Sequence, residues 1–325
     1  MNRELAAKIA DAVMYEGYML YPYRRSALKN RQRWTFGILY PPDFEEVRAR
    51  TERSSMQSEC LLKTNAPCSL SIQLRFLHSV TKTVVNVSPE NTEESNECWD
   101  EAVPRSLEFK PDLDACSPQR CALNFPGSTA LSESPTQGQV IATQQQLRGT
   151  LSFHVERLAE NLLKIAIDVA NETHSSSIER DRNCALTRAL LSAHLILSTD
   201  GAEFISLLDP PEEFRAHLPS CSNIGNFPVM LGNPGEHDMM LCSPIILYDY
   251  PQIAPESAGD FYDATEMDEM LTLRLMTLTD EEKHQMYSGD DHARALLERT
   301  EQSAREQLMK THGVIRNRRH VNQPE

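Results

Sequence analysis

The sequence predicts an α+β protein, with an antiparallel β-sandwich-like body to about residue 250 and a helical C-terminal region after it. Two observations predict this. Up to residue 250, short stretches of alternating apolar and polar residues recur between turn residues, the pattern of half-buried antiparallel strands. After residue 260 the spacing becomes helical, with Met267, Met270, Leu271, Leu273 and Leu275 giving an apolar side. With 325 residues, 40% of them hydrophobic, the chain can bury a sizeable core as one large domain or two ordinary ones.

In chain order, residues 2–14 predict a helix with Leu5, Ile9 and Ala12 on one side. Trp34, Phe36, Ile38 and Tyr40 alternate as in a strand, which Pro41-Pro42 stops. Residues 45–58 are charged and predict a short helix or an excursion. Leu70, Ile72, Leu74 and Phe76 alternate with Ser71, Gln73 and Arg75, and a turn near Ser79 leads to Val85 and Val87 as a hairpin. Residues 88–146 are rich in Ser, Thr, Pro, Glu and Gln and predict a partly mobile insertion. Strands are expected there only near Trp99–Val103, Ser106–Phe109 and Cys121–Phe125, with SESPTQGQ a mobile loop.

Leu151, Phe153 and Val155, then Leu163, Ile165, Ile167 and Val169, form the best strand pair, turned by Ala159-Glu160-Asn161. Residues 190–197 and 204–208 read as a hairpin around Thr199-Asp200-Gly201, with a helical turn at 212–217. Residues 227–231 and 240–247 bracket GNPGEHD as another hairpin. Thr279 with Glu282 matches a capping box that starts a helix at Asp280, and further helices follow at 291–302 and 305–312. The domain reading is thus 1–250 as body, 251–316 as acidic loop and helices, and 317–325 as a frayed basic tail.

A net charge of −15 argues against a general nucleic-acid or anionic-membrane binder and suits a basic partner. The charged start MNRELAAKIADAV lacks the apolar core of an export signal, so a soluble cytoplasmic protein is expected, with reduced cysteines. No C-x-x-C, H-E-x-x-H, P-loop, G-x-G-x-x-G or G-x-S-x-G pattern occurs, and no cofactor is expected. Glu16, Cys184 and His194 are of catalytic type, but the bland structural role is favoured for each.

Two stretches stand out as a surface. One is the aromatic and basic loop from Tyr15 to Trp34, with Glu16, Tyr18, Tyr21, Tyr23, Arg24, Arg25, Lys29, Arg31 and Arg33. Its Tyr, Trp and Arg are the types enriched in binding hot spots. Trp34 and Phe36 are expected buried, and Arg24, Arg25 and Lys29 exposed. The other is the acidic cluster Asp249, Glu256, Asp260, Asp263, Glu266, Asp268 and Glu269, beside Tyr248. Opposite charge suggests that the two meet, with Arg24, Arg25, Lys29 or Arg33 near Asp260, Asp263 or Glu266. Carboxylates three apart on a helix are also metal-ligand chemistry, so a metal carrier or sensor using the 249–269 carboxylates, with His237 or Cys242, is a second reading. The competing view is that acids in a first helical turn simply favour the helix dipole. A third reading is an enzyme with an anion-binding cleft in the Tyr/Arg loop.

Three segments carry a resemblance: YEGYMLYPYRRSALKNRQRWTFGILYP, AEFISLLDPPEEF, and SPIILYDYPQIAPESAGDFYDATEMDEMLTLRLMTLTDEEK. They resemble the uncharacterised proteins encoded beside nickel–iron hydrogenase structural and maturation genes in bacteria. The matched positions include Glu16, Tyr18, Tyr21, Tyr23, Arg24, Leu28, Lys29, Asn30, Trp34, Asp209, Tyr248, Pro251, Pro255, Glu256, Asp260, Asp263, Glu266 and Asp268. The resemblance implies a hydrogenase accessory or assembly role and a hydrogenase subunit or maturation protein as partner. It supplies no catalytic residues.

Overall fold

The computed structural model describes residues 3–15, 34–85, 98–115, 117–134, 138–174 and 178–252, with positions 277–280, 283, 294, 297 and 298 beyond them. The chain divides into two compact units, Met1–Tyr18 with Trp34–Gln252, and Met19–Arg33 with Ile253–Glu325. The first unit is antiparallel β throughout its named strand pairs, and these join in one ten-stranded sheet. Among the described residues no helix is long and apolar enough to cross a membrane.

The sheet is built on β1, Ser55–Val84, a strand of 30 residues. One edge of β1 pairs with β7 (Leu162–Asn171) over Ser55–Lys63, then with β2 (Cys98–Phe109) over Ile72–Thr83. The other edge pairs with β8 (Leu191–Ile205) over Leu61–Leu77, then with β5 (Gly138–Gln144) over Thr81–Val84. β3 (Gln119–Phe125) and β6 (Leu147–Ala159) extend the β7 side, and β4 (Ser128–Ser134) pairs with β5. β10 (Met239–Ser243) and β9 (Phe227–Met230) extend the β8 side.

A flat strand of this length would run for roughly 100 Å. Instead the register shifts between Thr64 and Ser69 and again between Arg75 and Leu77, and the sheet curls. The curl brings β3 over the far half of β1: the Phe76 and Phe125 rings meet edge to face, centroids 5.2 Å apart. Leu70, Ile72, Leu74 and Phe76 therefore share a core with Leu123, Leu151, Phe153, Leu195 and Met240. One sheet folded over itself replaces the two-sheet sandwich that the spacing suggests.

On the outer side of β8, β9 and β10 lies α1, Arg3–Tyr15. Its Ala6, Ile9, Ala10 and Val13 pack with Ile196, Val229, Leu231, Met239 and Leu241. The buried stripe is thus turned from the predicted Leu5–Ile9–Ala12 line, with Leu5 and Ala12 only half-buried. Asp11 pairs with Arg75 beneath it. Two short helices, α2 (Glu45–Arg48) and α3 (Arg182–Leu186), and a 3-10 helix over Glu212–Ser220 complete the unit.

Several expectations are corrected. Trp34–Tyr40 is not a strand: Trp34 and Gly37 have positive φ, and only Leu39 bridges, to Leu190. Ser79 is no turn, since it is buried and paired with Ala102 inside β1. Thr199-Asp200-Gly201 does not reverse the chain, because β1 supplies partners on both sides of it. Gly201, at φ 80°, instead allows close approach at the bulge, where a Cβ would stand 2.7 Å from the Pro67 carbonyl oxygen. The predicted insertion holds a hairpin: β4 and β5 take up the ends of SESPTQGQ, and the two pieces around Pro104 are one strand. As β2 pairs only with β1 among the described residues, Pro104 sits on an edge strand where a missing N–H is tolerated. The apolar run Ile245–Leu247 is not strand, since β10 ends at Ser243.

Other expectations hold. The β6–β7 hairpin turns at Ala159–Leu162, β9 and β10 pair, and the 3-10 helix follows Pro211. Beyond residue 276, Asp280, Lys283, Arg294, Leu297 and Glu298 are the described positions with helical backbone, and the Lys283 N–H donates to the Thr279 carbonyl over 2.9 Å. Glu282 of the expected capping box lies outside the described residues. The remaining helices and the basic tail lie outside the described residues.

Phe76→Ala should cost about 3–5 kcal/mol, since it opens a cavity under the curl. Leu131→Ala, on a residue 62% exposed in β4, should stay within about 0.5 kcal/mol. Urea denaturation compares them, and equal losses would contradict a core centred on β1.

Candidate functional site

Most of the surface read from the sequence lies outside the described residues: Glu16, Tyr18, Tyr21, Tyr23, Arg24, Arg25, Lys29, Arg31, Arg33, Glu256, Asp260, Asp263, Glu266, Asp268 and Glu269. Trp34, Tyr248 and the segments that carry them are described, and they show how the body holds the ends of both stretches.

The first stretch enters through Trp34, buried at φ 53°, whose carbonyl accepts a 2.8 Å bond from Arg182 Nη2. The Gly37 carbonyl accepts from the Ala193 N–H at 2.8 Å, and Leu39 exchanges both backbone bonds with Leu190. Gly37 has φ 57°, and a Cβ there would come 2.8 Å from the Pro244 Cβ. Both facts demand glycine. Phe36, expected buried, is 39% exposed.

The second stretch leaves after Ser243, whose hydroxyl donates to the Ile245 carbonyl over 2.9 Å. Ile245 and Leu247 pack in the α1 cluster. The alternate residues turn outward, Ile246 at 98% and Tyr248 at 85% exposure. Asp249 then locks the chain. Its carboxylate accepts from the Ser206 hydroxyl at 2.5 Å and from the Met230 N–H at 2.8 Å. Ser206 Oγ in turn accepts from the Leu208 and Asp209 N–H groups at 3.1 and 2.9 Å. Tyr250, at φ 56°, donates its N–H to the Met230 carbonyl and its hydroxyl to the Glu236 carbonyl. Asp249, read in the sequence as part of an acidic cluster, is thus an anchor. Nothing in the sequence pairs it with Ser206, 43 residues away.

A cavity of about 300 Å³ lies beside the first stretch. Tyr40, Glu52, Arg53 and Arg182 give its polar lining, and Leu39 and Met56 its apolar lining. Burial raises the Tyr40 hydroxyl above its usual pKa against the Arg182 charge. Burial, then Glu46, raises the Glu52 carboxyl, while Arg182 and Arg53 oppose. Guanidinium groups beside a carboxyl and a phenol suit recognition of a small polar group, and the lining contains no Ser, Cys or His. Arg182 has no motif around it that would have singled it out.

Of the catalytic-type residues, His194 and Cys184 are described. His194 is fully buried, and its Nδ1–H donates to the Ser192 carbonyl at 2.7 Å. Cys184 is exposed, but burial of its thiol and a 3.4 Å hydrogen bond to Asp181 hold it protonated. Asp181 itself caps α3 through the Asn183 N–H. Of the proposed accessory ligands, His237 is exposed, while Cys242 faces the core and burial pushes its thiol up to about 12, far from a thiolate ligand. Among the described residues no group of three or more His, Cys, Asp or Glu side chains is placed to hold a metal.

Removing the Asp249 carboxylate leaves the Met230 N–H without its acceptor. Asp249→Ala should cost roughly 2–3 kcal/mol, against less than about 0.5 kcal/mol for Tyr248→Ala. Calorimetric or urea unfolding reads both, and comparable losses would refute the anchor.

His78 and His194 are both held at about 4, chiefly by burial. The unfolded chain takes up these protons more readily, so stability is full above about pH 6.5 and falls as pH drops toward 4. By about pH 5 the loss should be roughly 2 kcal/mol per histidine. Urea midpoints from pH 7 to pH 5 measure it, and His78→Gln and His194→Gln should each flatten the slope. An unchanged slope in both variants would contradict this assignment.

No family model matches the chain, and no curated protein matches it.

Proposed function

We propose that the protein is a non-enzymatic accessory or assembly protein for a nickel–iron hydrogenase. Its binding surface is the Tyr/Arg stretch ending at Trp34 together with the acidic stretch beginning at Tyr248. The observation that supports the reading is a convergence. The three segments that carry the resemblance touch one another in the described body: Gly37 of the first abuts Pro244 of the third, and Ser206 of the second holds Asp249 of the third. Both stretches therefore start from neighbouring, rigidly tied points. Tyr248, an aromatic hot-spot type held outward between the packed Leu247 and the anchored Asp249, is the exposed aromatic among the described residues of those two stretches. The partner class, a hydrogenase subunit or maturation factor, comes from the resemblance. No cofactor enters this reading.

Affinity-tagged full-length protein, expressed in a hydrogenase-producing bacterium, should capture a hydrogenase subunit or maturation factor. Tyr248→Ala should weaken that capture by roughly tenfold or more with unchanged unfolding, as for a hot-spot residue. Capture of no hydrogenase protein, together with normal hydrogenase activity in a deletion strain, would overturn the proposal.

A further inference from the structure

Along one edge of β1 the ladder with β8 ends at Leu77 and the ladder with β5 begins at Thr81. His78, Ser79 and Val80 lie in the gap. On the other edge β2 runs without interruption, with Arg105 opposite Phe76 and Val103 opposite His78. Directly opposed residues share a face, so Arg105 and His78 are diagonal neighbours on the core-facing side, about 7–8 Å apart at the backbone.

Three contacts order this junction. His78 is fully buried, and its Nε2 stands 2.9 Å from the Gln145 carbonyl oxygen. A carbonyl only accepts, so Nε2 carries the proton and Nδ1 presents a lone pair. Arg105 Nη2 donates to Gln144 Oε1 at 3.1 Å, which fixes the amide with its oxygen toward the guanidinium and Nε2 away from it. The Phe125 ring flanks the guanidinium, 5.9 Å from its carbon. After these contacts Arg105 Nε, Gln144 Nε2 and His78 Nδ1 are all buried with no hydrogen-bond partner among the described residues.

Two donors and one acceptor remain, and each buried bond left unmade carries an uncompensated desolvation cost. We infer that this junction binds one internal water molecule, which accepts from Arg105 Nε–H and Gln144 Nε2–H and donates to His78 Nδ1. The guest has to accept twice and donate once. Water does so, and three bonds are the usual number for a buried water. Chloride or a carboxylate would satisfy the donors but set negative charge against the His78 lone pair. Burial keeps that ring neutral down to about 4, so the clash persists at neutral pH. The water ties β1, β2 and β5 together where the backbone ladder is interrupted.

Nuclear magnetic resonance of the labelled full chain tests this. The expected results are a protonated Nε2 on His78, an Nδ1 shifted as a hydrogen-bond acceptor, and a long-lived water cross-peak on the Gln144 side-chain amide. In Gln144→Met, oxygen-17 relaxation should count one long-lived internal water fewer. If that variant does not fold, the wild-type ring shifts and cross-peak decide alone. An Nδ1–H tautomer, a missing cross-peak, an unchanged water count in folded Gln144→Met, or a chloride titration that moves the Gln144 amide would each overturn the inference.

Discussion

Backbone hydrogen bonding along β1 is the constraint on which the unit depends. Every buried N–H and C=O of a 30-residue strand needs a partner, and no single neighbouring strand is long enough to provide them. β7 and β2 share one edge, and β8 and β5 share the other. These relays bring the two halves of β1 into different neighbourhoods, so the bulges and the curl become the means of closing the core. The Phe76–Phe125 contact is the visible result, since β3 reaches the far half of β1 only because the sheet turns over.

The same relays set where polar groups are buried. Where β8 hands over to β5, side chains of His78, Arg105 and Gln144 take the place of a ladder. Beneath α1, Arg75 and Asp11 form an ion pair close to the neutral His194. Neither location resembles a nucleophile with its base. Both are interior positions where burial has driven a histidine to its uncharged form.

The edges of the candidate surface follow a different logic. Positive φ at Trp34, Gly37 and Tyr250 bends the chain sharply at both ends of the body. Short-range turns alone would not hold such bends, and each is tied to a distant residue. Arg182 holds the Trp34 carbonyl across 148 positions, and Ser206 and Met230 hold Asp249. With Leu247 packed and Asp249 pinned, Tyr248 is held outward, 85% exposed.

What the sequence by itself determined was local and periodic. The β6–β7 hairpin, the Leu70–Phe76 alternation, the β9–β10 pair, the first helix, the turn after Pro211 and the burial of Trp34 were legible, because an amphipathic pattern of period two or 3.6 needs only its own residues. The tertiary structure decided the rest. Ser79 and Thr199-Asp200-Gly201 carry turn chemistry, yet a paired strand beside each keeps the chain extended. The β4–β5 hairpin is polar and half-exposed, and its order comes from its place on β1. Asp249 became an anchor, and Arg182 a carbonyl clamp, through partners far away in the chain. Hydrophobic spacing announces which face is buried, whereas partner identity depends on contacts between remote segments, which no local pattern encodes.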